Sequence, residues 1–213
     1  KKPSAVVLGT MGVERHSLTF TGQAAHSGAA PIHLRKDAFL AAAEFALACR
    51  DISVKFSGKS PKTRVVATCG VVKVEPNFVT AVPGSTEISI DLRALDGKVL
   101  KKMLAEAKKA SQKAAKHHLV KCVWSPLLHI TPRPFDERLM GFVRESIKDV
   151  TKGPAPEIPS GPLHDASGGG APHDPRLHTW SEPHVPQVPP HPSGPQPLPS
   201  QSGVHAAHAP ATQ

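Results

Sequence analysis

TFTGQAAHSGAAPIHLRKDAFLAAAEFALACRD, residues 19–51, decides how the rest of the chain is organised. A β-branched and aromatic run ends at Gln23, a loop of small residues presents His26, and an apolar pattern of helical spacing starts near Asp37. A helix anchored directly behind a loop fixes the side chains that the loop carries. Gly22 and Gly28 bracket the histidine, and each supplies either a backbone angle or a close approach that larger residues forbid. By residue type alone, His26 is equally an ordinary surface side chain of a strand-to-helix loop.

Upstream, residues 5–8 predict a short buried strand with turn points at Gly9 and Gly12. Residues 13–21 predict a second strand, with Leu18 and Phe20 on one face and Ser17, Thr19 and Thr21 on the other. Downstream, residues 37–50 predict a helix capped by Asp37, with Phe39, Ala42, Ala43, Ala46 and Leu47 as its buried stripe. The polar residues 53–64 read as a connection. Residues 65–74 predict one strand, ended by Glu75-Pro76-Asn77 because proline removes a donor. After the Val82-Pro83-Gly84 turn, residues 86–93 alternate cleanly, with Thr86, Ile88, Ile90 and Leu92 on one face. Residues 96–116 predict a lysine-rich amphipathic helix and residues 119–124 a last strand.

The order is strand, helix, strand, strand, helix, strand. It predicts an α+β, ferredoxin-like βαββαβ domain, a four-stranded antiparallel sheet with two helices on one face and the other face free. Residues 134–150 predict a further helix, with Leu139, Phe142, Val143 and Ile147 on one side, and residues 156–166 a short strand and loop.

The bulk properties exclude several classes. No apolar run reaches the roughly 18 residues of a membrane span. The net charge of +9 invites nucleic acid, but the lysines concentrate on one helix and no aromatics are interleaved for stacking, so no nucleic-acid partner is expected. Cys49, Cys69 and Cys122 form neither a disulfide framework nor a CxxC site, which points to a reducing, cytoplasmic setting. Beyond Ala166 the chain becomes rich in Pro, Gly, Ser and His, with Arg176 its one strong base. Residues 167–213 are expected to be disordered or to derive from a shifted reading frame. A weak metal-binding tract or a proline-rich ligand are the other readings of that tail.

Three ordered stretches resemble one family. GQAAHSGAAPIHLRKDA (residues 22–38), VATCGVVKVEPNFVTAVPGSTEISIDLR (66–93) and PSGPLHDA (159–166) look like motifs of the zinc-dependent amidohydrolases of the M20-like superfamily. That group contains N-carbamoyl-L-amino acid hydrolases, bacterial-type beta-ureidopropionases and allantoate amidohydrolases. The resemblance implies that His26 donates a hydrogen bond to the scissile carbonyl, and that Arg93 holds the substrate carboxylate. A guanidinium fork suits the latter task. The other reading of Arg93 is a strand-end partner of Asp91 or Glu87.

Asn77 matches a turn asparagine, and Thr80 stands where the family carries a substrate-contacting asparagine. His164 matches a cleft histidine, while Gly22, Gly28, Gly84 and Gly161 shape the loops. Pro162 and Leu163 replace small residues of the third motif. The family uses two divalent metals, zinc, manganese or similar, held by an HxD histidine, a bridging aspartate and a glutamate pair. The sequence contains neither HxD nor a Glu-Glu pair. No metal site is therefore expected in this chain, and it is expected to be inactive as written.

The expected organisation is residues 1–12 as the end of one catalytic-domain part, 13–129 as a lid that dimerises, and 130–166 as a return into the catalytic domain. The expected function is that of a fragment of a hydrolase cleaving linear amide or ureido C–N bonds of small carbamoyl or ureido acids. The expected partner is a second copy, joined through the lid. The alternative is a free-standing ferredoxin-like interaction module without catalysis.

Overall fold

Two ten-residue strands, Gly12–Thr21 and Ser85–Ala94, pair antiparallel from Gly12 opposite Ala94 to Thr21 opposite Ser85. They form the centre of a computed structural model that describes residues 4–162. In chain order the strands are β1 (Val6–Thr10), β2 (Gly12–Thr21), β3 (Ala25–His26), β4 (Val65–Thr68), β5 (Val72–Glu75), β6 (Ala81–Val82), β7 (Ser85–Ala94), β8 (Lys121–Ile130), β9 (Arg133–Pro134) and β10 (Glu157–Ser160). The helices are α1 (Ala38–Phe56), α2 (Gly97–His117) and α3 (Glu137–Thr151).

The main sheet runs β4-β7-β2-β8, with β5 also on β7, and every pair in it is antiparallel. A smaller sheet, β10-β1-β9, pairs β1 parallel to β10, and β3 and β6 form a separate two-stranded ribbon. The architecture is mixed α/β with several sheets.

Period-2 patterning places Leu18, Phe20, Ile88, Ile90 and Leu92 on the face of the main sheet that α1 and α2 cover. Phe45 of α1 lies 6.1 Å from Phe20 and 6.0 Å from Trp124, centroid to centroid, while Ala38, Ala41 and Ala42 let the helix approach closely. Truncating a buried phenylalanine of this kind costs about 3–5 kcal/mol. Asp37, Asp96 and Asp136 each cap a helix by accepting two backbone N–H bonds.

Several expectations are corrected. α1 buries Ala38, Ala41, Ala42, Phe45, Cys49 and Ile52, whereas Phe39 and Leu47 of the expected stripe are exposed. Both faces of α1 are apolar, so the pattern alone could not choose between them. The helix also runs on to Phe56, because Ile52 continues the buried stripe past the charged Arg50-Asp51 pair. The strand expected over 65–74 is two strands, β4 and β5. Between them the chain leaves the ladder at Gly70, and Val71 bonds Ser89 through both its N–H and its C=O. The sheet therefore has five strands rather than four.

Leu119 has φ +55° and belongs to the turn after α2, not to a strand. β8 instead extends to Ile130 through Pro126, which is tolerated because β8 is an edge strand. In α3, Met140 is buried and Ile147 packs beside it, while Leu139, Phe142 and Val143 are exposed.

The two sheets are joined at two neighbouring crossings. Met11 alone separates β1 from β2; it is buried, and its N–H donates to Ser160 O at 3.0 Å. Thr131-Pro132 separates β8 from β9, and a Cβ on Gly12 would sit 2.5 Å from Pro132 Cδ. Close approach, rather than a special backbone angle, requires glycine there.

Candidate functional site

His26 sits on the β3–β6 ribbon, opposite Ala81, and is exposed. The ribbon ties the first motif to the second. Gly22 N–H donates to Gly84 O at 2.8 Å, Gln23 N–H to Lys36 O at 2.9 Å, and Ser27 N–H to Thr80 O at 2.8 Å. A Cβ on Gly22 would lie 1.9 Å from Lys36 O, and one on Gly84 would lie 2.7 Å from Ala24 N. Both glycines are there for close packing of backbone against backbone. Asn77, at φ +51°, is a turn residue.

The loop beyond His26 folds back on itself, since the N–H groups of Ala29 and Ala30 both donate to His26 O. Arg35 clamps it from below, donating to Ala30 O at 3.0 Å and to Ser27 O. Sequence reasoning missed Arg35, although a guanidinium placed after a loop of bare carbonyls is a readable signal. Gly28 N–H donates to His26 Nδ1 at 3.2 Å. A nitrogen that accepts carries no proton, so the neutral ring is protonated on Nε2, which is left as a donor. His26, Thr80 and Asn77 thus share one end of the domain.

Arg93 lies at the other end. Its Nε and Nη2 hold both oxygens of Asp91, at 2.7 and 3.0 Å, and its Nη1 donates to Gly161 O at 2.6 Å. Arg15 Nε donates to the same Asp91, at 2.9 Å. Burial pushes the Asp91 carboxyl upward, but the hydrogen bonds from Arg93 and then Arg15, with their charges, outweigh it and hold the group below its usual range. Asp91 in turn raises the Arg93 guanidinium.

Two guanidiniums on one carboxylate leave one unit of positive charge and unused N–H donors. They line a concavity on the open face of the sheet, with Ser89, Leu127 and Gly161 at its walls. The array suits an anion of carboxylate size. Arg93 pairs with Val13, so eight steps along β7 separate it from Ser85 beside the ribbon, roughly 27 Å at a strand's rise. One copy of the chain does not bring His26 and Arg93 together. His164 lies outside the described residues, as does the tail from 167 to 213.

Residues 8–119 match the profile of the peptidase dimerisation domain of M20 enzymes. The chain belongs to the M20 dimerisation-domain family. This dimerisation domain and its flanks are 25% identical to the allantoate amidohydrolase of Bacillus subtilis over 82% of the chain and 44% of that protein. They are 26% identical to the N-carbamoyl-L-amino-acid amidohydrolase of a Pseudomonas strain, over 77% of the chain and 38% of that protein. Among solved structures, a hydantoinase/carbamoylase-family amidase from Burkholderia multivorans superposes with a TM-score of 0.69 at 29% identity, over 76% of this chain and 38% of the other. The chain thus spans about two fifths of the length of these relatives.

M20 amidohydrolases are generally metal-dependent, and the residues present do not fit a two-metal hydrolytic centre. HxD and paired glutamates are absent from the sequence, and the polar atoms around His26 are backbone amides and carbonyls. One group that sequence reasoning passed over does have ligand spacing: Glu44, His117 and His118, brought together by α1 and α2.

Proposed function

We propose that this dimerisation domain is the lid of an amidohydrolase cleaving linear C–N bonds of N-carbamoyl amino acids, ureido acids or allantoate. The carrying observation is that the ribbon holds His26 with Nδ1 occupied and Nε2–H free, beside Thr80. A preorganised N–H donor of this kind stabilises the negative charge that gathers on a carbamoyl or amide oxygen as water attacks. Arg93, assisted by Arg15, anchors the substrate carboxylate, and His164 adds a contact from the third motif.

The enzyme works as a homodimer. A small ureido acid cannot touch two groups some 27 Å apart, so a site that uses both draws His26 from one protomer and Arg93 from the other. The outer face of α1 supports a dimer. Leu40, Leu47 and Val54 are 50%, 66% and 65% exposed there, opposite the buried Phe45, and a helix apolar on both faces calls for a partner.

Residues 13–129 are the lid, a ferredoxin-like βαββαβ unit whose outer strand is divided into β4 and β5. Residues 1–12 and 130–166 belong to the catalytic domain, and three free cysteines support a cytoplasmic setting. Alone, the chain is expected to be inactive. The test is to exchange this lid for that of a complete carbamoylase and assay carbamoyl amino acids, ureido acids and allantoate. Turnover of at least one class supports the reading; a folded, dimeric chimera inactive on all of them refutes it. The same apolar face of α1 also supports a second reading, a free-standing dimerisation module.

A further inference from the structure

Glu44 stands on the flank of α1 that faces α2, and the two helices run antiparallel, so it meets the C-terminal end of α2. One of its oxygens, Oε2, lies 2.7 Å from His117 Nδ1 and 2.9 Å from His118 Nε2. All three potential ligand atoms fall within 4.8 Å of one another. The two imidazoles are neighbours in sequence, and their rings lie 4.6 Å apart at 42°.

The backbone explains how adjacent side chains converge. His117 closes α2, His118 is its C-cap, and Leu119 at φ +55° reverses the chain. Val120 N–H returns to Ala115 O at 2.9 Å, and His118 N–H to Ala114 O at 3.0 Å. This closure of the helix end fixes both histidine backbones before any ligand arrives.

We propose that Glu44, His117 and His118 form a divalent zinc site that staples α2 to α1 on the helix layer of the lid. Two imidazoles and one carboxylate are donors for zinc or a neighbouring transition metal, not for magnesium or calcium, which take oxygen ligands. The metal takes the place of the two hydrogen bonds. Each neutral imidazole presents its lone pair to it and carries its proton on the outer nitrogen, Nε2 of His117 and Nδ1 of His118. Metal–ligand bonds of about 2.0–2.2 Å put tetrahedral ligand atoms about 3.3–3.5 Å apart, so the two oxygen–nitrogen distances need open by only about 0.4–0.8 Å.

The negative end of the α2 dipole favours a cation at this position. Water completes the coordination. None of the three residues belongs to the His26 or Arg93 groups, and they lie on the side of the sheet away from Arg93, so the site stands independently of the catalytic reading.

The test uses the full 213-residue chain, stripped of metal by a chelator and titrated with zinc chloride. The chain has thirteen histidines in all, so wild type is compared with single variants rather than with buffer. Wild type should bind one zinc that Glu44→Gln and His118→Ala lose, and zinc should raise its melting temperature while magnesium does not. Removing a partner one shell out from a metal costs about 10–100-fold in affinity, so removing a ligand should cost at least that. His117→Gln alters a largely exposed side chain and keeps the test valid should His118→Ala misfold. Equal zinc stoichiometry and an equal melting shift in wild type, Glu44→Gln and His117→Gln would overturn the proposal.

Discussion

The backbone N–H of Gly28 donates to Nδ1 of His26 across 3.2 Å. One hydrogen bond between residues two apart selects the tautomer and aims the remaining N–H outward. In a complete enzyme carrying this lid, His26→Ala should lower kcat about 10²–10³-fold with little change in KM, as for a lost oxyanion donor. His26→Gln, which can still donate, should recover part of the loss. Steady-state kinetics check this, and wild-type kcat in His26→Ala would return the residue to an ordinary loop.

Arg93 makes a different prediction, because an interaction equal in ground and transition states changes binding alone. Arg93→Ala should mainly raise KM, and the penalty should shrink for substrates whose carboxylate is replaced by an amide. A matching fall in kcat for both substrate types would instead indicate a structural role through Asp91.

Leu47 probes the dimer. Leu47→Glu puts a charge on the outer stripe of α1 without touching the buried face built on Phe45. The wild-type chain should sediment as a dimer in the micromolar range and the variant as a monomer. A monomeric wild type would count against the dimer itself.

Asp91 makes stability depend on acid. Its folded-state carboxyl is held below the ordinary value of 3.8, so its contribution is complete above that value and is lost as pH falls through the lower folded one. Thermal melts should therefore show wild type losing stability below about pH 4. Asp91→Asn should be less stable at pH 7 by about 1–3 kcal/mol and show a flatter acid limb. Parallel acid limbs for the two proteins would refute the assignment.

Gly22 and Gly28 separate backbone packing from side-chain packing. A Cβ on Gly22 meets Lys36 O, which cannot step aside, whereas one on Gly28 meets only the His26 ring at 3.3 Å. Gly22→Ala should cost about 2 kcal/mol or more in chemical denaturation, and Gly28→Ala much less. Equal costs would mean that the strand-to-helix junction yields more readily than its contacts indicate.

Much of this was legible in the sequence because period and punctuation agreed. The alternation of residues 86–93 placed β7 with its buried face correct, and Asp37 and Asp96 marked two helix starts. What was illegible depended on partners elsewhere in the chain. α1 carries apolar residues on two opposite faces, so only the sheet could select Phe45 over Leu47. The last strand runs on past Trp124 through Pro126, which only the position of β8 at an edge allows, and that position is not readable from the sequence. His26, Thr80 and Arg93 were visible as motif residues, but their division between opposite ends of β7 depended on strand register. Glu44 and the two histidines were invisible as a group, since 73 residues separate Glu44 from His117 and the antiparallel helices close that gap.

Any tilt of the main sheet against the smaller one would pivot at Met11 and the Thr131-Pro132 step, where the chain passes between them. The strands of the main sheet start from that pivot as a lever of very unequal arms. Arg93, opposite Val13, lies about 7 Å from the fulcrum, while β2 carries the ribbon some 33 Å away over its ten residues. A tilt of about 10° at the pivot would sweep His26 through about 6 Å and displace Arg93 by only about 1 Å. On the roles proposed above, the group that anchors the substrate would then move little, and the group that meets the reacting oxygen would travel. In that reading, a small motion at one buried methionine would separate capture from engagement in time.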